Sequence, residues 1–152
     1  MSIGAIMNTV KREENTEMTN TYYFDMDGVL ANFHAEPYKY ANAISREWIA
    51  NLAPFAENIA LVRSLIAEGQ RVYILTKAAS ENARLGKIDF LAKYIPEIDA
   101  EHFICIVGSG KKVDYIREDG MLVDDDEKNL RPWAKAGHAV YHLEVKGEAV
   151  HF

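Results

Sequence analysis

The sequence predicts an α/β fold, a three-layer αβα sandwich around a mostly parallel, five-stranded sheet. Three observations carry this reading. Short apolar runs alternate with amphipathic stretches from residue 21 onward, as strands joined by crossover helices do. The runs are nearly continuous, which suits strands covered on both faces. Polar, chemistry-bearing clusters stand at the ends of those runs, and open parallel sheets bind ligands beyond the carboxyl ends of their strands.

In chain order, residues 1–20 are largely polar and show no periodicity. Their apolar stretch before Lys11, Arg12, Glu13 and Glu14 is too short for a signal peptide. They are expected to form a leader, with a single domain over 21–152. Residues 21–24, aromatic and β-prone, predict the first strand, which stops at Asp25. After Pro37, the spacing of Tyr40, Ile44 and Trp48 predicts a helix inside an insert of about 33–52, before Leu52, Ala53 and Pro54 return to the core. Ile59, Val62, Leu65 and Ile66 share a helical face, with Gly69 where a C-terminal cap belongs. Residues 71–75 predict the second strand. Leu85, Ile88, Leu91 and Ala92 predict the inward face of a helix ending before Pro96. The third and fourth strands are expected at 103–107 and 121–123. Leu130, Trp133 and Ala134 form a shorter helical stripe closed by Gly137, and 139–141 predicts the fifth strand.

A chain of 152 residues, 49% hydrophobic and 26% charged, has the size and composition of one folded domain, not of a disordered segment. Twenty-three acids against 17 basic residues give a net charge of −6. That balance argues against long nucleic acid or an anionic membrane as the main partner, and no apolar run approaches the ~18 residues of a membrane span. A small phosphorylated ligand needs only one or two local positive groups or a metal ion. The one cysteine, Cys105, excludes an intramolecular disulfide and fits a reducing, cytoplasmic compartment; mid-strand, it reads as a small buried hydrophobe. The five histidines lack metal-binding spacing, so zinc is not expected.

The strand ends carry Asp25-Met26-Asp27-Gly28-Val29-Leu30, then Thr76-Lys77, then Gly108-Ser109-Gly110-Lys111-Lys112, then Asp124-Asp125-Asp126-Glu127. Carboxylates forced together repel unless a cation lies between them. Hard oxygen donors beside a lysine suit Mg²⁺ shared with a phosphate, and an aspartate so placed can act as a nucleophile through an aspartyl-phosphate. Each cluster alone has a plainer role: helix capping for the acids, a strand end for Thr76, a solvated surface for the lysines. Their joint occurrence in order favours chemistry. The glycine-lysine stretch lacks the full phosphate-loop pattern, which argues against a nucleoside triphosphatase.

Together, the strand followed by Asp-x-Asp-Gly-Val-Leu, the later Thr, the Lys and the final Asp-Asp resemble the haloacid dehalogenase (HAD) superfamily of phosphohydrolases. Asp25 to Phe33, with Val72 to Thr76 and Met121 to Asp125, resembles the 5'(3')-deoxyribonucleotidase family. The resemblance covers about residues 21–142. It implies a Rossmann-like core, a helical cap and a Mg²⁺-dependent phosphatase acting on (deoxy)nucleoside monophosphates. It implies that Asp25 is the nucleophile and a metal ligand. Asp27 would be the general acid and base, its backbone carbonyl also reaching the metal. Thr76 would bind phosphate oxygens. Lys112, with Lys111 as rival, would neutralise developing charge. Asp125 best matches the last metal ligand, with Asp124 a ligand or its partner and Asp126 leaving the assignment open by one position.

The insert leaves room for a minimal cap only. That admits bulkier phosphoesters, such as phosphorylated proteins, sugars or polynucleotide ends, and a second copy that roofs the site as a homo-oligomer. Tyr38, Tyr40, Ile44 and Trp48 read as packing, with a weak substrate role open for them and for Phe33 and His34. A receiver-like module that accepts a phosphoryl group on Asp without turnover is the alternative of a different class.

Overall fold

The computed structural model describes residues 19–34 and 45–152. Five strands form one sheet: β1 (Thr21–Phe24), β2 (Arg71–Ala78), β3 (Phe103–Val107), β4 (Met121–Asp124) and β5 (Val140–His142). Their order is β3-β2-β1-β4-β5, and every pairing is parallel. The described residues include four helices, α1 (Arg46–Ala50), α2 (Ala56–Ala67), α3 (Glu81–Tyr94) and α4 (Glu127–Lys135). Single 3₁₀ turns lie at Ala100–His102 and Lys112–Tyr115. This is a Rossmann-like three-layer sandwich. None of the described helices is long and apolar enough to cross a membrane.

Side chains alternate across each strand, so every strand feeds two cores. Phe24, Val72, Ile74 and Val123 face one way and pack with Ile49, Ile59, Val62, Leu65, Phe90 and Leu91 from α1, α2 and α3. Tyr23, Tyr73, Leu75 and Leu122 face the other way, against Leu130 and Trp133 of α4. Tyr23 stacks on Tyr73 at 4.9 Å and meets Trp133 edge-on at 4.9 Å, while the Trp133 indole N–H donates to the Gly120 carbonyl at 3.0 Å.

Several boundaries differ from the sequence reading. β2 runs on to Ala78 because β3 keeps pairing with it through Thr76, Lys77 and Ala78, so Thr76 and Lys77 lie inside a strand rather than after it. β5 starts one residue late and takes in His142, set by the pairing of Leu122 with Val140 and Asp124 with His142. The inward face of α3 is Ala83, Gly86, Lys87, Phe90 and Leu91; of the expected Leu85, Ile88, Leu91 and Ala92 only Leu91 is buried there, and Ile88 and Ala92 are exposed. The reason is physical: α3 packs against α1 so closely at Gly86 that an added Cβ would lie 2.5 Å from the Arg46 carbonyl, and Arg46 pairs with Asp89 on the flank. In α4, Leu130 and Trp133 point inward but Ala134 is exposed. Cys105 is half-buried rather than buried. Of the insert, α1 with its Ser45 cap is described; Tyr38, Tyr40 and Ile44, like residues 1–18 of the leader, lie outside the described residues.

The chain after β5 returns to the core through Leu143 and Val150. Asn58 of α2, 1% exposed, holds it there. Its amide donates to the carbonyls of Val29 and Glu148 and accepts from the Val150 N–H, all within 2.9–3.0 Å. Asn58→Ala strands buried backbone groups, so it is expected to destabilise the fold by roughly 2–4 kcal/mol. Denaturant unfolding measures this, and a loss below about 0.5 kcal/mol contradicts the anchoring role.

Candidate active site at the carboxyl edge of the sheet

Register brings the key carboxylates together. Phe24 of β1 aligns with Ile74 of β2 and Val123 of β4. One step later Asp25 and Asp124 stand side by side, and the Asp25 N–H still donates to the Val123 carbonyl at 3.0 Å. The two-residue period sends both side chains to the face of Tyr23 and Leu122, the layer of α4 and the Lys112 turn. Thr76 shares the parity of Ile74 and faces α3.

Lys112 meets the first pair. It opens a 3₁₀ turn, is 2% exposed, and its Nζ donates to Asp25 Oδ1 and Asp124 Oδ2, each at 2.8 Å. Lys111 is exposed and lies outside the cluster. Val113 and Ile116 pack against the α4-side core, and the backbone behind Lys112 makes only this single turn. Asp124 is fully buried and its oxygens are all engaged: Oδ2 also accepts from Asn129 at 3.1 Å, and Oδ1 from the Asp126 N–H at 3.0 Å. Asp126 itself caps α4, accepting from the Lys128 N–H at 2.9 Å. Asp125, beside them, lines the cleft.

A second lysine, missed in the sequence reading, completes the site from the other layer. Lys87 of α3 is 1% exposed. Its Nζ donates to Thr76 Oγ1 at 2.6 Å and to Asp27 Oδ2 at 3.0 Å. The other Asp27 oxygen, Oδ1, is buried and has no hydrogen-bond partner among the described residues. The signal was present in the sequence, a lysine at the i+4 position from Ala83 and three and four residues before Phe90 and Leu91, but a charge inside an apolar stripe made that face look like the outer one.

The loop joining Asp25 to Asp27 is rigid. Met26, Val29, Leu30 and Ala31 are all fully buried, and the Met26 carbonyl accepts from the N–H groups of Leu30 and Ala31 at 2.8 and 2.9 Å. Gly28 sits at φ +87°, and an added Cβ would lie 2.9 Å from the His34 ring and 3.0 Å from Asp125 Oδ2; the turn has no room for a side chain. Asp25, Asp27, Thr76, Lys77, Lys112 and Asp125 line one cleft of about 300 Å³, with His34, Asn129 and Lys146 around its wall. His34, Asn129 and Lys146 come from separate parts of the chain, and no sequence spacing marks them.

The electrostatics follow from burial. Burial opposes ionisation of Asp25, but the charge and hydrogen bond of Lys112, with Lys87 beyond, outweigh it and hold its carboxyl below the ordinary value. Asp124 bears the opposite result: burial, then the Asp25 charge, push it up to about 7 despite Lys112. Asp125 is also raised, by burial and by the Asp25 carboxyl within hydrogen-bond reach. One oxygen from each of Asp25, Asp124 and Asp125 falls within 4.8 Å of the others. Three carboxylates meet one buried lysine, Lys112, and one half-exposed one, Lys146, and all-oxygen donors fit a hard divalent cation such as Mg²⁺. The Asp27 side chain stands outside this trio, on Lys87; only its backbone remains for the metal role assigned from sequence. Asp25, Asp27, Thr76, Lys112 and Asp125 therefore meet in one cleft, with Asp124 behind Lys112.

Because folding raises the Asp124 pKa from 3.8 to about 7, the metal-free protein binds more protons folded than unfolded across that window, and its stability falls as pH rises through it. A divalent cation needs the deprotonated carboxylates. In EDTA, the melting temperature is expected to decline between about pH 5 and pH 8; added Mg²⁺ should raise it by several degrees at pH 8 and by little at pH 5. An equal Mg²⁺ effect at both pH values would contradict the assigned ionisation.

No protein-family model matches the chain, and no curated protein matches it. Among solved structures, it is similar to a chain of the Pnkp1/Rnl/Hen1 RNA repair complex, at 18% identity and a TM-score of 0.57 over 82% of this chain and 42% of that one. A second structure of the Pnkp1/Rnl/Hen1 complex matches at 17% identity and a TM-score of 0.55, over 82% of this chain and 46% of that chain. This chain thus spans less than half the length of the chains it resembles, and at such identities the likeness is one of fold.

Proposed function

We propose that this protein is a Mg²⁺-dependent phosphatase of the HAD type. It would hydrolyse a phosphomonoester through an aspartyl-phosphate, with a (deoxy)nucleoside monophosphate as substrate, as a 5'-nucleotidase does. The observation that carries the reading is the division of labour between two aspartates two residues apart. Asp25 is held ionised by Lys112 at 2.8 Å, whereas Asp27 rests on Lys87 and keeps one buried oxygen without a partner among the described residues.

In this reading Asp25 Oδ1 accepts from Lys112 and would share its second lone pair with the metal, while Oδ2 forms the bond to phosphorus as the ester P–O bond breaks. A proton on Asp27 Oδ1 passes to the leaving alkoxide. Water then attacks phosphorus and gives a proton to Asp27, now a carboxylate, as the bond to Asp25 breaks to release phosphate. The Thr76 hydroxyl, oriented by Lys87 at 2.6 Å, donates to a phosphoryl oxygen, while Lys112 and Lys87 stabilise charge from opposite sides. Mg²⁺ held by Asp25 and Asp125, with Asp124 and the Asp27 backbone at hand, would shield the carboxylates from the phosphate and polarise it.

The strand order β3-β2-β1-β4-β5 differs from the 2-1-3-4-5 order of receiver modules, which counts against a phospho-acceptor without turnover. A polynucleotide phosphate end is the second substrate reading, supported by the RNA repair complex whose chains share this fold. The single cysteine supports a cytoplasmic setting, and a homo-oligomer that roofs the cleft belongs to the same proposal.

The test is release of phosphate from p-nitrophenyl phosphate and a panel of nucleoside monophosphates and phosphorylated oligonucleotides. Wild type is expected to turn over with Mg²⁺ and not with EDTA. Asp25→Asn should abolish turnover, Asp27→Asn should lower kcat by about 10²–10⁴-fold, and Lys87→Met should lower it by roughly 10–10³-fold. Absence of Mg²⁺-dependent turnover on every substrate would dispose of the phosphatase reading.

A further inference from the structure

The tail after β5 is clamped onto the loop that carries Asp25 and Asp27. The Leu143 N–H donates to the Asp124 carbonyl at 2.9 Å and the Gly147 N–H to the Gly28 carbonyl at 2.9 Å. Asn58 secures Glu148 and Val150 beyond them. Gly147 adopts φ +79°, and a Cβ there would stand 2.4 Å from the Phe55 ring, so only glycine passes this point. The clamp on both sides delivers the residue between, Lys146, to the wall of the cleft.

Lys146 differs in kind from the two interior lysines. Lys112 and Lys87 have side chains only 2% exposed, each fixed by two partners. The Lys146 side chain is 50% exposed, and its one polar contact among the described residues is Asp125 Oδ2 at 3.3 Å. A half-solvated ammonium on a flexible stem, with a single partner, exchanges partners at little cost. That partner belongs to the carboxylate trio a divalent cation would occupy, so lysine and metal compete for the same group.

We infer that Lys146 is an anion-recruiting residue of the cleft. It pairs with Asp125 while the carboxylate trio is free of metal, and it turns to the phosphoryl oxygens of the incoming phosphomonoester when a divalent cation takes Asp125. The metal-competition half stands on the geometry alone; the substrate half rests on the phosphatase reading.

Lys146→Met and Lys146→Arg test it, with melting temperatures in EDTA confirming that each variant folds. Isothermal titration with Mg²⁺ alone should show Lys146→Met binding the ion about two- to fivefold tighter than wild type, since a surface pair of this kind no longer competes. In turnover, the same variant should raise KM and the inhibition constant of inorganic phosphate by roughly tenfold, the worth of one charged hydrogen bond, with kcat within about twofold. Lys146→Arg should restore both constants toward wild type. Unchanged Mg²⁺ affinity in Lys146→Met would overturn the competition. In a wild-type protein that hydrolyses phosphomonoesters, unchanged KM and phosphate inhibition would overturn the recruiting role. A wild type without any turnover would instead sink the phosphatase reading, leaving the Mg²⁺ titration to decide the competition.

Discussion

The buried ammonium of Lys112 between Asp25 and Asp124 is the contact on which the rest of this molecule depends. A buried lysine is tolerated only where its charge is matched and its hydrogens are placed, and both carboxylates lie at 2.8 Å. Satisfying it fixes the ends of β1 and β4 relative to the Lys112 turn, and Asp124 in turn orders the entry to α4 through the Asp126 N–H and Asn129. The same contact distributes charge. It keeps Asp25 ionised and leaves Asp124 and Asp125 to absorb the repulsion.

The site is two-sided because the sheet is. Strand parity sends Asp25 and Asp124 toward one helical layer and Thr76 toward the other, and each layer supplies one buried lysine. Two cations thus approach one strand edge from opposite faces, while the loop from Asp25 to Asp27 spans the gap between them. A single-layer fold could present the same residues, but not from both faces of one strand edge. The plug of Met26, Val29, Leu30 and Ala31 keeps the loop from shifting when charge is gained or lost.

Around this rigid interior lies a softer rim. His34 and Lys146 face Asp125 at 4.0 and 3.3 Å and are partly solvated. Interior pairs hold reacting groups at fixed distances, whereas rim pairs can trade partners as a metal or an anion arrives. That separation is the one on which the proposed exchange at Lys146 rests.

Sequence and tertiary structure determined different parts of this protein. The apolar runs, their spacing and the acids at their ends were enough to specify the layered parallel fold, because burial on both faces and termination by charge are local properties of a strand. The Asp25-to-Leu30 turn and Asp124 to Asp126 were legible for the same reason, whereas Thr76, read as a strand end, lies inside β2. Which carboxylate is buried and which faces the cleft was not legible: Asp124, Asp125 and Asp126 have the same chemistry, and only the pairing of β4 with β1 and the start of α4 separate them. Lys87 was hidden because a helix face is selected by what packs on it, and α1 pressed against Gly86 turns the lysine inward. Lys146 carries no local pattern at all; its place depends on a tail 118 residues from Gly28 in the chain numbering being clamped beside it, a long-range contact that only the folded chain creates.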